Sequence, residues 1–317
     1  MPRICFLDTV HPILMQRLQA AGFNCEEQLT LNRQSILEGC LADCVGLVVR
    51  ARLTLDAELL EVLPALKFIA RSGAGLENID LPTAQSKGIL VFNSPEGNAA
   101  AVGEHATGQL LMLFHKLRLA DASVRSGEWD REGHRGMEIS GKTVAIIGFG
   151  HMGRSFASKM SGFDCRVVAY DKYVSGFGAA SGVEEWSMDQ IYAEADVVSL
   201  HLPLTNETSG LVDANWLKRF RRPITLIHTA RGPIVDTEAL LDAMDRGSVL
   251  GAALDVLEYE ERSLEGLRTD ASTWNRLTQH ERVVLSPHVA GWTVESYFKL
   301  SDVLAEKILS SPLKRLI

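Results

Sequence analysis

No run of apolar residues in this chain is long enough to span a bilayer. The N-terminus, Met1-Pro2-Arg3-Ile4-Cys5-Phe6-Leu7-Asp8, turns acidic too soon for a signal peptide, so a cytoplasmic protein with no membrane partner is expected. Cysteine is scarce. The five residues, Cys5, Cys25, Cys40, Cys44 and Cys165, are odd in number and lack a Cys-x-x-Cys pair, which argues against a disulfide framework and against a zinc site; no metal is expected. A clustered basic surface is missing too. With a formal net charge of -8 and no Lys/Arg run to neutralise phosphates, nucleic-acid binding is excluded as a function class. No internal repeat or low-complexity segment interrupts the 317 residues, and a 46% hydrophobic composition supports two domains rather than one.

What is present is an alternation of short β-branched runs with helical-period segments, the pattern of parallel sheets covered by helices on both faces. The runs at 4–7, 45–49, 67–70, 89–92, 143–147, 166–170, 197–200, 224–228, 249–254 and 283–285 are too many for one small sheet. Two doubly wound α/β domains are therefore predicted. The turn-rich break Asn93-Ser94-Pro95-Glu96-Gly97-Asn98 divides them, ahead of a proline-free apolar helix over 99–119. Residues 98–286 form one domain, while 1–97 and 287–317 form the other, the tail returning as a helix.

The strongest local signal is the strand-like Thr143-Val144-Ala145-Ile146-Ile147 leading into Gly148-Phe149-Gly150-His151-Met152-Gly153 and a helical pattern. A lone G-x-G-x-x-G says little, but here a second strand follows and ends at Asp171, the arrangement a dinucleotide needs. Gly148 permits the tight turn, Gly150 lets the backbone approach a pyrophosphate, and Gly153 packs helix on strand. The helix N-terminus around His151 and Met152 offers unpaired N–H groups to the anion. Asp171 would bond the ribose hydroxyls and repel a 2′-phosphate, favouring NAD over NADP, with Lys172 partly offsetting that repulsion.

Three later segments each follow a strand: Thr229-Ala230-Arg231-Gly232-Pro233, Leu254-Asp255-Val256-Leu257-Glu258-Tyr259-Glu260, and Ser286-Pro287-His288-Val289-Ala290-Gly291-Trp292. An arginine, a glutamate and a histidine at strand ends suit hydride transfer to a 2-keto acid, which needs a carboxylate anchor, a tuner and a proton donor. With these motifs in order, the chain resembles the D-isomer-specific 2-hydroxyacid dehydrogenases over nearly its whole length. The resemblance implies a Rossmann NAD domain inserted into a flavodoxin-like substrate domain. It implies His288 as the general acid and base, Glu260 as its hydrogen-bond partner, and Arg231 as the group that binds the substrate's carboxylate and carbonyl oxygens. Leu202, Pro203, Thr208 and Ala230 fall on the family's cofactor segments, and Asp255 on the residue that contacts the nicotinamide carboxamide. Arg71-Ser72-Gly73 resembles the substrate-carboxylate loop, with the N–H groups of Ser72 and Gly73 holding the anion. The chain departs from the family in lacking proline after Glu260, in carrying His228 where asparagine is common, and in a long 261–281 stretch that brings Trp274 near the site.

Arg50 also ends a strand, and with Arg71 it offers the bidentate geometry that suits a phosphate; the alternative is that both make structural ion pairs. In this pair, and in Asn98, the chain resembles the 3-phosphoglycerate dehydrogenases of the family, which would place it in serine biosynthesis. Trp292 would line the substrate pocket or pack between domains. Glyoxylate or hydroxypyruvate reductases and D-lactate dehydrogenases are the competing members, and NAD-sensing corepressors a different class that tends to carry extensions. No regulatory domain is expected after Ile317. The small molecules expected to bind are thus NAD and a 2-hydroxy or 2-keto acid. The 99–119 helix and Ser123 to Trp129 resemble the family's dimer segment, implying a homodimer, and two crossings between domains predict hinge closure.

Overall fold

The computed structural model describes residues 1–261, 266–267 and 271–313, with the backbone alone at 180 and 271, and its strands pair as two all-parallel sheets. The first comprises β1 (Arg3–Phe6), β2 (Asn24–Glu27), β3 (Gly46–Val49), β4 (Phe68–Arg71) and β5 (Leu90–Asn93), in the order β2-β1-β3-β4-β5. Helices cover both faces, so a central strand has no solvent side: all four residues of β3 are buried. One face packs Cys5, Leu47, Val49 and Ile69 against Leu59 and Leu60. The other packs Ile4, Phe6, Val48 and Phe68 against Leu14, Leu18 and Leu304. Leu304 belongs to the helix Val294–Ser310, which Thr293 starts by accepting the Ser296 N–H at 3.0 Å.

The second sheet comprises β6 (Thr143–Ile147), β7 (Arg166–Tyr170), β8 (Glu184–Glu185), β9 (Val197–Leu200), β10 (Ile224–His228), β11 (Val249–Leu254) and β12 (Val283–Leu285), in the order β12-β11-β10-β9-β6-β7-β8. Strand β6 pairs with β7 on one side and β9 on the other, so the winding reverses there and a crevice opens at the carboxyl ends of β6 and β9. The two orders are those of flavodoxin-like and Rossmann sheets, as the sequence implied.

The chain divides into two compact units, one holding Met1–Asn98 and the stretch from Trp292, the other Ala99–Glu261 and Gly266–Gly291. The return crossing thus falls five residues later than the 286/287 boundary expected from sequence. Asp255 explains the delay: its carboxylate takes the N–H groups of Val289 and Ala290 at 2.9 and 2.8 Å, tying them to the seven-stranded unit. The single helix expected over 99–119 is two, Pro95–Phe114 and Leu117–Arg125, separated at Lys116, whose φ of 51° is left-handed and cannot continue a helix. Among the described residues no helix is long and apolar enough to cross a membrane. Residues 262–265 and 268–270, within the long stretch noted from sequence, lie outside the described residues.

Candidate active site

The groups singled out in the seven-stranded unit sit past the carboxyl ends of six of its strands. Across the sheet the order runs His288 (β12), Asp255 and Glu260 (β11), Arg231 (β10), Leu202 to Thr208 (β9), Gly148 to Gly153 (β6) and Asp171 (β7). With strands about 4.8 Å apart, the ends of β7 and β10 lie roughly 14 Å from each other. A ligand touching both must be extended.

At the glycine loop the backbone permits what side chains would forbid. Gly148 has φ 93°, and a Cβ on Gly153 would strike the Gly148 carbonyl oxygen, so the helix His151–Met160 can pack on β6 only without one. Gly150 is different, for a Cβ there would meet nothing within 4 Å. It is the N-cap of that helix and supplies no side-chain cap, so the helix N-terminus is left for an anion. The loop therefore fits a pyrophosphate. Asp171 braces it: Oδ2 accepts the Phe149 N–H at 2.7 Å, and Oδ1 accepts those of Tyr173 and Val174 at 2.9 and 3.0 Å. A carboxylate has about four lone-pair sites, so one remains on Oδ2 for a ribose hydroxyl. In the loop after β9, Thr208 Oγ1 donates to the Pro203 carbonyl at 2.6 Å and accepts the Thr205 N–H at 2.8 Å. Its hydroxyl shapes the loop itself.

At the other end of the sheet, His288 Nδ1 lies 2.7 Å from Glu260 Oε2, with the two side chains only 22% and 16% exposed. The second oxygen of Glu260 accepts the Leu257 N–H at 2.6 Å, which orients the carboxylate. Nδ1 is engaged, so Nε2 is the nitrogen left for proton exchange. Arg231 follows β10 in extended backbone, its Nη1 bonded to the Ala230 carbonyl at 2.7 Å. Gly232 lets this loop approach the one after β11, since a Cβ there would strike the Leu257 carbonyl oxygen. Asp255 is 1% exposed and accepts from Ser286 Oγ at 2.6 Å as well as from Val289 and Ala290, a commitment to the protein itself that the sequence did not suggest.

Two histidines lie behind these loops, His228 buried and His201 partly so. Burial pushes the His201 pKa down to about 3 and that of His228 to about 4, where the nearby backbone of Arg231 and Gly232 offsets burial only in part. Neither ring nitrogen of His228 has a hydrogen-bond partner among the described residues. Trp274 packs against the apolar core of this unit.

The five-stranded unit repeats the logic with strand-end groups of its own. Arg50 follows β3, Arg71 ends β4, and Asn98 follows β5 on the first turns of the Pro95–Phe114 helix. Arg50 makes no ion pair among the described residues; its guanidinium lies 4.3 Å above the Trp292 ring, and Trp292 meets Tyr297 edge-on at 5.4 Å. Asp8 pairs with the Arg52 guanidinium at 3.2 Å and accepts the backbone N–H of Arg50 at 2.5 Å. The Arg71 guanidinium folds over Gly73. One expectation needs correcting. The Ser72 N–H donates to the Val49 carbonyl at 2.9 Å, continuing the sheet, so Gly73 is the remaining backbone donor of that loop. Asn98 Oδ1 is buried without a partner among the described residues, as is Ser94 Oγ, which sequence reasoning had not marked.

Comparison with known proteins agrees with this geometry. The family description "D-isomer specific 2-hydroxyacid dehydrogenase, NAD binding domain" matches residues 107–290. The D-3-phosphoglycerate dehydrogenase of Mycobacterium bovis is 39% identical over 264 residues, 83% of this chain and 48% of that protein. The enzyme of the same name from Rattus norvegicus is 33% identical over 304 residues, 96% of this chain and 55% of that protein. The chain spans about half the length of the curated relatives it matches. A solved D-lactate dehydrogenase from Aquifex aeolicus, complexed with NAD and lactic acid, is similar with a TM-score of 0.82 at 27% identity, covering 96% of this chain and 94% of that one. The chain belongs to the D-isomer-specific 2-hydroxyacid dehydrogenase family, and its seven-stranded unit is that family's NAD-binding domain.

Proposed function

We propose that the chain transfers hydride between NAD(H) and a D-2-hydroxy or 2-keto acid, with 3-phosphoglycerate and 3-phosphohydroxypyruvate as the substrate pair. The observation that carries the reading is the order of groups along one sheet edge, from the Gly148 loop and Asp171 to Arg231 and the His288–Glu260 pair. Bound NAD(H) supplies or accepts the hydride. The N–H groups at the start of the His151–Met160 helix hold its pyrophosphate, and the open space at Gly150 admits it. The free lone pair of Asp171 takes a ribose hydroxyl, and its charge disfavours a 2′-phosphate. Asp255 retains one lone pair on Oδ2 for the carboxamide.

In keto-acid reduction His288 gives the proton at Nε2 to the carbonyl oxygen, and in the reverse direction it takes that proton back. Glu260, bonded at Nδ1, keeps the ring in that orientation. Arg231 binds the carboxylate and steadies the developing oxyanion. In the five-stranded unit Gly73 and Asn98 offer polar groups, and Arg50, whose guanidinium has no carboxylate partner among the described residues and lies on Trp292, suits a terminal phosphate. The names of the curated relatives support the same substrate, while the lactate enzyme supports the smaller alternative.

The test is a panel of 2-keto acids with NADH, including 3-phosphohydroxypyruvate, pyruvate, glyoxylate and hydroxypyruvate. Replacing Arg50 by Ala should lower kcat/KM for the phosphorylated substrate about tenfold to a hundredfold, the scale of a lost charged contact, and leave the others nearly unchanged. Equal loss on all substrates, or a preference for pyruvate in the parent chain, rejects the phosphate reading.

A further inference from the structure

His288 has a backbone φ of 53°, left-handed, a conformation that a non-glycine residue holds only when its surroundings enforce it. The enforcement comes from Asp255. The His288 N–H donates to the Asp255 carbonyl at 2.8 Å, and the next two N–H groups, of Val289 and Ala290, donate to its carboxylate at 2.9 and 2.8 Å. Three consecutive backbone donors are pinned by one residue, which is itself 1% exposed.

The carboxylate has a support of its own. Ser286 Oγ lies 2.6 Å from Asp255 Oδ1, and the same oxygen lies 2.9 Å from His105 Nε2 and 2.9 Å from Gln109 Nε2. A hydroxyl has one proton and two lone pairs. The carboxylate can only accept, so the serine proton goes to Asp255; both lone pairs then receive protons, one from the Gln109 amide and one from His105. The hydroxyl is saturated, and His105 must carry a proton on Nε2. His105 and Gln109 stand one turn apart on the Pro95–Phe114 helix, and His105 Nε2 also lies 3.5 Å from Asp255 Oδ1.

We propose that His105, Gln109 and Ser286 are positioning residues for His288, holding the Asp255 carboxylate so that residues 288–290 keep the left-handed turn that aims the imidazole at Glu260. The inference rests on the reading of His288 as the proton-exchanging group, and it extends that reading to His105 and Gln109 of the helix Pro95–Phe114. None of the three residues needs to touch substrate or cofactor. They act by limiting the orientations open to the ring.

The experiment compares Ser286→Ala, His105→Phe and His105→Gln in the full chain. Ser286→Ala and His105→Phe should bind NADH within about twofold of the parent, yet lose about tenfold or more in kcat, the scale on which slight misplacement acts. His105→Gln, whose Nε2 can still donate, should recover most of that loss. Amide exchange at Val289 and Ala290 should speed up in the first two variants and not in the third. Unchanged exchange at those amides overturns the inference, as does equal impairment by Phe and Gln, which would mean packing alone. If exchange follows the expected pattern in a chain inactive on every keto acid, the positioning network stands and the proposed reaction falls.

Discussion

Lys172 follows Asp171 directly, where an unmasked ammonium would invite the 2′-phosphate that the carboxylate repels. Its Nζ lies 2.6 Å from Glu207 Oε2, which also accepts the Tyr173 hydroxyl at 2.8 Å. Glu207 holds the lysine pKa up, and the lysine holds that of Glu207 down, so the pair stays charged and internally neutral. Both side chains are 56% exposed, and such a pair adds little to stability. Its consequence is for the ligand: the cation is already occupied, and Asp171 acts unopposed. Glu207→Gln should raise the affinity for NADPH relative to NADH by roughly twofold to fivefold, the scale of a single exposed charge. Fluorescence titration of both cofactors checks this, and an unchanged ratio would show that Glu207 masks nothing. The glycine loop and Asp171 were legible in the sequence because their spacing is local. Glu207 was not, since its meaning depends on a fold that returns the chain after 35 residues.

Strands were legible where burial on both faces demanded continuous apolar runs, as at Thr143–Ile147 and Ile224–His228. The two that escaped, Asn24–Glu27 and Glu184–Glu185, are edge strands paired on one side, where polar residues cost little. For the same reason the groups that hold His288 were hidden: His105 and Gln109 lie in an ordinary helical pattern, and their partner Ser286 is 181 and 177 residues away. The ends of β9 and β10 carry a cost of their own. His201 and His228 are held uncharged, with pKa values pushed from 6.5 down to about 3 and about 4. Below about pH 6.5 the unfolded chain takes up protons that the folded form refuses, so their contribution to stability is lost as pH falls towards those values. The loss is of order 1 kcal/mol per histidine per pH unit. His228→Asn, the residue common in the family, should therefore show a smaller drop in urea-unfolding free energy between pH 7 and pH 5 than the parent. Equal drops would mean that His228 does not titrate differently on folding.

For the molecule as a whole, the helix Leu117–Arg125 has no buried residue, and Leu117, Val124 and Trp129 are 51%, 52% and 80% exposed. These exposed apolar side chains lie in the segment that resembles the family's dimer contact. We infer that it meets a second copy of the chain, which predicts twice the 34.8 kDa chain mass in light scattering at micromolar concentration. Trp129→Glu should shift that mass to the monomer, and a monomeric parent would remove the idea. The strand-end placement of Asp171, Arg50 and His288 has a last consequence, for how such a protein can change. The sheets set only where loops begin, so on the proposed reading cofactor preference, substrate choice and proton transfer draw on the loops after β7, β3 and β12. A substitution after β7 or β3 can then be tried and kept without disturbing the Asp255 bonds that hold residues 288–290, which leaves cofactor preference and substrate choice open to change within a single reaction type.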